Sequence, residues 1–346
     1  MGRFWDFRKK IIFLSLCLFF TLPAYSAFID VEPGSSIQTA IDSASDGDTI
    51  RLSAGLYKGN IDFKGKAITI RGVGKDTIIK GDGSRAVVFF VNDEDFYTLL
   101  DKVQITGGIR GGAILIENAS PRVNRCWITN NQSIGAGSAI YIFGNDSTGR
   151  SAAFFNNVIA RNKTRSLFFG NEAHAIYIEN AAPSFINNTI VQNDRSAFYI
   201  TKDSDVRISN NIIAYNGYIK APGNAKKRGL GIEFDNFSGS AQIDYNLFYK
   251  NRLGDINVDG ENLGSISELS SALLLEKSVT ADLLENKNGD PDFIKLSSLS
   301  NLRLGENSSA IDIGDPDELY NDIVDNSRND AGATGGLFIH PNLDVF

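Results

Sequence analysis

Cysteine is nearly absent from this chain of 346 residues, which holds only Cys17 and Cys126. Cys17 lies in an N-terminal stretch with the marks of a removable leader. Cys126 is then alone, no internal disulfide can form, and stability has to come from burial. A remaining chain of about 320 residues can supply it, because long chains bury a large share of their surface. Positive charge is scarce too: 34 Lys and Arg face 41 Asp and Glu, for a net charge of −7. Loss of the leader removes Arg3, Arg8, Lys9, Lys10 and Asp6 and takes the net charge to about −10. No basic face is left to neutralise phosphates, which argues against nucleic acid as a partner. An anionic polysaccharide is not excluded, since a cation such as Ca²⁺ can bridge two acidic surfaces. The apolar run at residues 11–20 falls short of the roughly 20 residues that span a bilayer. That argues against a retained membrane anchor.

What is present begins with the leader itself. Four cations precede the apolar run, and Ala24 and Ser26 stand where a cleavage site needs small residues. Residues 1–26 are therefore expected to be a signal peptide, and the protein secreted, periplasmic or at the cell surface. Leu16 occupies the position where lipidation of Cys17 requires a small side chain. The expected mature domain is 27–346, with no transmembrane segment.

One phrase then recurs: Cys126-Trp127-Ile128-Thr129-Asn130-Asn131, Asn157-Val158-Ile159-Ala160-Arg161-Asn162, Asn188-Thr189-Ile190-Val191-Gln192-Asn193, Asn211-Ile212-Ile213-Ala214-Tyr215-Asn216 and Asn246-Leu247-Phe248-Tyr249-Lys250-Asn251. A weaker copy starts at Val103, and the successive steps are 23, 31, 31, 23 and 35 residues. The shortest step fits one compact coil of a solenoid, and the longer ones imply loops of roughly 8 to 12 extra residues on the same coil. Each coil carries two further short strands, the first at 113–117, 139–143, 175–179, 197–201 and 231–235. Alternation assigns inward faces. The first strand contributes Ile114 and Ile116, Ile140 and Ile142, Ile176 and Ile178, Phe198 and Ile200, and Ile232 and Phe234. The second contributes Val123, Phe154, Phe185, Ile208 and Ile243, and the third Ile105, Ile128, Ile159, Ile190, Ile213 and Phe248. Stacked coils lie about 4.8 Å apart, so each residue packs on its equivalent above and below. The segments are too short and too β-branched for amphipathic helices. The reading is all-β: a single-stranded right-handed parallel β-helix.

Asn157, Asn188, Asn211 and Asn246 fall at the same phase of four coils. An inward ladder of side-chain amides would satisfy polar groups that otherwise cost about 1–3 kcal/mol each when buried. Cys126 and Val103 end it on the N-terminal side. The competing reading is an exposed turn Asn chosen for its tolerance of left-handed backbone angles. A solenoid also needs covered ends. Ser35-Ser36-Ile37-Gln38 opens a capping-box pattern, and Ile37, Ala40, Ile41 and Ala44 share one helical face, so a short helix is expected to cap the N-terminal end. Strands are expected at 49–52, 60–63, 67–70 and 77–80, and final ones at 288–293 and 301–304. From about 255 to 346 the pattern is less regular, with a Leu-rich stretch at 267–284 and an Asp- and Gly-rich capping segment.

The chain resembles the pectate-lyase-like superfamily of right-handed parallel β-helices, in its bacterial exported form. The resemblance rests on Ser36-Ile37-Gln38-Thr39-Ala40-Ile41-Asp42, Asp46-Gly47-Asp48-Thr49-Ile50, Gly55-Leu56-Tyr57, the Asn-bearing coils, and Ser309-Ala310-Ile311-Asp312-Ile313-Gly314-Asp315. Such a resemblance implies the fold and a polysaccharide or surface glycan as partner, in a superfamily of lyases, hydrolases, epimerases, esterases and non-catalytic surface proteins. The polygalacturonase-type motifs Asn-Thr-Asp, Asp-Asp, Gly-His-Gly and Arg-Ile-Lys are missing. His174 shares parity with inward Ile176, which suggests a structural place at a strand edge.

Two surface features carry chemistry. The outward middle position of the first strand reads Leu115, Tyr141, Tyr177, Tyr199 and Glu233, so three stacked tyrosines could offer a platform for sugar rings. The next outward position reads Glu117, Phe143, Glu179, Thr201 and Asp235. Tyr141, Tyr177, Tyr199 and Glu179 are the candidate substrate-binding residues. Glu233 and Asp235, roughly 6.5–7 Å apart along one strand, are the candidate catalytic pair for inverting hydrolysis. A lyase would draw its base from Arg195, Lys202, Lys226, Lys227 or Arg228. Asp312, Asp315, Asp317, Asp322, Asp325 and Asp330 could bind Ca²⁺, although Asp equally suits turns. Two functions follow: an exported β-helix that binds or processes polysaccharide, or a non-catalytic adhesin or envelope scaffold.

Overall fold

A computed structural model describes residues 26–144, 151–164, 174–217, 229–299, 301–322 and 325–336. The expected leader, apart from Ser26, lies outside them, as do Lys226, Lys227 and Arg228.

The chain winds through three long parallel sheets, one strand per sheet per coil. The sheet of first strands runs through Ile61–Asp62, Val88–Phe90, Ile114–Glu117, Ile140–Phe143, Ile176–Glu179, Phe198–Lys202, Leu230–Phe237 and Gly254–Val258. The antiparallel strand Glu261–Gly264 ends it. The second-strand sheet includes Arg122–Asn124, Ala153–Phe155, Ser184–Ile186, Asp205–Ser209 and Ser240–Asp244, and the third Trp127–Thr129, Val158–Ala160, Thr189–Val191, Ile212–Ala214 and Leu247–Tyr249. Register is in phase: Ile140 pairs with Ile176 and Ile176 with Phe198, Phe154 with Phe185, and Ile159 with Ile190. Every residue of the three inward columns is buried. Phe154 stacks on Phe185 with ring centroids 4.5 Å apart.

The Asn ladder is present and longer than the repeat suggested. The Asn157 side-chain N–H donates to Asn188 Oδ1 at 2.9 Å, Asn188 to Asn211 at 3.0 Å, and Asn211 to Asn246 at 2.9 Å. Asn246 continues to Asn286, and the Cys126 backbone N–H closes the other end on Asn157 Oδ1. Five residues further along each coil a second ladder runs through Asn131, Asn162, Asn193, Asn216 and Asn251. The left-handed turn residues are the immediate neighbours of the ladder: Asn156, Asn187 and Asn210 have φ of 54°, 54° and 58°. The ladder residues are therefore inward, and the exposed-turn reading is not realised: the left-handed backbone angles fall on their neighbours, which are buried as well.

The N-terminal helix Ile37–Ser43 buries Ile37, Ala40 and Ile41 in the core. Its cap is Ser36, whose Oγ accepts from Thr39 N. Gln38, expected to complete a capping box, instead pairs with both the N–H and the C=O of Asp62. Its amide thereby occupies the open edge of the first-strand sheet as a further strand would. At the opposite end Ile266, Leu274 and Val279 join the same core, with Leu274 on the helix Ser271–Glu276. The strand Thr280–Leu284 then returns to the second-strand sheet, and the two-residue strand Lys287–Asn288 to the third.

Residues beyond this point leave the coil. Phe293–Lys295 and Asn301–Leu304 form an antiparallel pair of their own. The tail runs back along the outside of the third-strand sheet rather than over the open end expected of a cap. Leu302, Ala310, Ile313 and Ala331 pack on the outward side chains Val158, Val191, Ile212 and Leu247 in a second apolar cluster. The left-handed asparagines hold it there. Asn210 Oδ1 accepts from Asp315 N at 2.9 Å, Asn187 donates to Asn329 Oδ1 and Asp330 O at 2.9 Å, and Asn156 donates to Gly335 O at 2.7 Å.

Candidate functional site

Period-two alternation turns Tyr141, Tyr177, Tyr199 and Glu233 out of the first-strand sheet, and parallel register puts them in one line across four coils. Tyr141 meets Tyr177 edge-on at 5.2 Å, and Tyr177 stacks on Tyr199 at 4.9 Å. The imidazole of His174 extends the stack, 4.5 Å from the Tyr199 ring. Tyr177 and Tyr199 are only 8% and 5% exposed, so Tyr141 is the ring of the three that offers the most surface.

Carboxylates flank the rings. Glu233 lies beside Tyr199, accepts from Ser196 Oγ at 3.2 Å, and has His174 Nδ1 at 3.6 Å. Asp235, next outward on the same strand, accepts from the Tyr199 hydroxyl at 2.5 Å. Burial first, and then the Asp235 carboxylate, drive the Tyr199 hydroxyl far above its ordinary pKa. That phenol is a donor held in its neutral form. Glu179 bonds the ammonium of Lys202 and accepts from the Tyr141 hydroxyl at 3.4 Å. A bulge between Thr201 and Lys202, with Lys202 at φ 56°, breaks the strand register beside this pair. In the turn that enters the Tyr199 strand, Asp194 and Arg195 are both buried. Burial pushes the Asp194 carboxyl up to about 6, although Oδ2 accepts from Thr164 N at 2.9 Å.

The structure thus gathers Tyr141, Tyr177, Tyr199, Glu179, Glu233, Asp235 and Lys202 on one face. It adds His174 and Ser196, which sequence reasoning had not placed there. The parity argument for His174 fails because the strand begins at Ile176. His174 belongs to the preceding turn, where alternation does not apply, and its buried ring joins the outward stack. A signal was available: His174-Ala175, Ser138-Ala139 and Ser196-Ala197 are in phase, and all three polar residues are buried.

The acidic tail is engaged in its own turns. Asp315 accepts from Asp317 N, Asp317 from Leu319 N, Asp325 from Ser327 N, Asp330 from Asp312 N, and Asp322 from Asp330 N. Among the described residues no group of three or more His, Cys, Asp or Glu is placed to hold a metal ion. No described helix is long and apolar enough to cross a membrane.

No family model matches the sequence, and no curated protein matches it. Solved structures do. Pectate lyase Pel9A superposes with a TM-score of 0.52 at 16% identity, over 89% of this chain and 96% of that one. The PL6 family alginate lyase AlyGC gives 0.39 at 13% identity, over 66% and 36% of the two chains. The A-module of the Azotobacter vinelandii mannuronan C-5 epimerase AlgE4 gives 0.25 at 15%, over 73% and 92%. The match to Pel9A shows the fold, a right-handed parallel β-helix.

Proposed function

We propose that this β-helix binds an extended polysaccharide along the outward face of its first-strand sheet and processes it there. One observation carries the reading: an aromatic column across three coils, bordered by Glu179, Glu233 and Asp235, on one continuous face. Sugar rings present apolar faces that stack on aromatic side chains, while their hydroxyls need polar partners at the edges. Tyr141 supplies the accessible ring. Glu179 and Lys202 supply a paired acceptor and donor beside it.

Glu233 and Asp235 are the proposed acid and base. Their environments differ: Asp235 is held by a phenol, whereas Glu233 faces a serine hydroxyl and an imidazole. Two carboxyls in unlike surroundings can divide the two roles between them. The reading includes export, on the strength of the leader-like residues 1–26, and a structure similar to a pectate lyase supports a carbohydrate substrate.

The purified protein should be screened on a glycan array, with reducing-end release and ultraviolet absorbance of unsaturated uronates as readouts of turnover. The expected result is binding that Tyr141→Ala weakens about tenfold, roughly 1.4 kcal/mol, with turnover that Glu233→Gln abolishes. Binding without turnover would leave a binding module. Silence in every assay would favour the adhesin or scaffold, a reading helped by the burial of Tyr177 and Tyr199.

A further inference from the structure

The column of left-handed turn residues changes character along the axis. Asn210, Asn187 and Asn156 grip the tail. In the two preceding coils the same turn position is Arg125 and Lys102, at φ 51° and 55°. These cations line a cavity of about 490 Å³ on the third-strand side, well away from the tyrosine face in the coil. Its apolar wall is made by Trp127, Val158 and Leu302. Lys75, from the loop before the strand Thr77–Lys80, and Arg303, from the C-terminal hairpin, also line it, with Asp76 as its carboxylate.

Arg125 is fixed in place. Its Nε and Nη2 donate to the fully buried Asp101 at 2.8 and 2.7 Å, and Arg71 donates to the same carboxylate at 2.8 Å. Asp101 lies behind the wall and balances Arg125, which leaves Lys75, Lys102 and Arg303 as the other cations of the lining. Four lining cations against Asp76 and the Asp101 carboxylate bonded to Arg125 still stand out in a chain whose net charge is −7. The size falls within the usual range for ligand pockets, about 300–1,000 Å³.

We infer that this cavity is a second saccharide site, one that takes a carboxylated pyranose chain. A pyranose ring fits the face of Trp127, and carboxylates fit Lys102 and Arg303. The cations come from four separate segments rather than one cradle, which suits charges spread along an oligouronate better than a single compact phosphate. This site does not depend on the tyrosine face, and each can fail without the other.

Trp5 and Trp127 are the two tryptophans, so in the full chain carrying Trp5→Phe the indole emission reports on the cavity alone. Trigalacturonate, neutral galactotriose and inorganic phosphate are titrated separately. The expected result is a saturable change with trigalacturonate, weakened at least tenfold by Lys102→Glu combined with Arg303→Glu, and unaffected by Tyr141→Ala. An unchanged melting temperature confirms that the double variant is folded. No response to trigalacturonate would overturn the assignment. So would an equal response to galactotriose, or a full response to phosphate alone.

Discussion

Each rung of the ladder satisfies several backbone groups as well as its neighbour. Asn188 Oδ1 accepts from both the backbone and the side-chain N–H of Asn157, and its own Nδ2 donates to Asn211 Oδ1 and Phe154 O. Asn188→Ala orphans donors on one side and acceptors on the other, all buried. The expected loss is about 2–5 kcal/mol of stability, at about 1–3 kcal/mol for each unsatisfied group, read from denaturant unfolding. A second residue makes a pH-dependent contribution. The Asp194 carboxyl titrates near 6 in the folded chain, because burial disfavours its charge. In the unfolded chain it titrates in the ordinary carboxylate range. Folding therefore favours the protonated form, and the stability it contributes is full below about pH 4 and lost as pH rises through 6. Asp194→Asn should exceed the parent by about 1–3 kcal/mol at pH 7.5 and match it near pH 4. Melting temperatures at the two pH values check this, since Asn keeps an acceptor for Thr164 N.

At the scale of elements, the tail is the part with the largest consequence. It covers outward apolar residues of the third-strand sheet, namely Val158, Val191, Ile212 and Leu247, which would otherwise face water. A chain ending at Gly289 should keep its β-sheet circular dichroism, bind a hydrophobic dye, and melt about 5–10 °C lower. Unchanged dye binding would mean that the tail is not what shields this face. Strand positions and inward faces were legible in the sequence because period two and coil-to-coil phase agree at every repeat. The tail's path was not legible: it has no period, and its anchors are Asn side chains indistinguishable by type from those of the ladder. The second ladder stood in the same recurring phrase but was hidden by the ordinary preference of Asn for turns. Asn286 was not legible as a rung because a helix and an antiparallel strand, absent from the regular coils, lengthen the path from Asn246.

For the whole molecule, the outward tyrosine column and its carboxylates followed directly from alternation. The burial of Tyr177 and Tyr199 did not, because exposure depends on what packs above a face and not on the strand alone. The constant and variable parts of each coil also separate cleanly. From the second strand through the third to the second ladder, spacing never changes: the two ladder positions stand five residues apart in every coil from Cys126 and Asn131 to Asn246 and Asn251. All the variation in coil length falls in the turns that enter or leave the first strands. An added residue within the laddered block would put every later amide out of step, whereas one added beside the first strands costs the interior nothing. Descendants of such a chain can lengthen, shorten or exchange those borders freely, and so acquire new preferences on the tyrosine side without ever renegotiating the core.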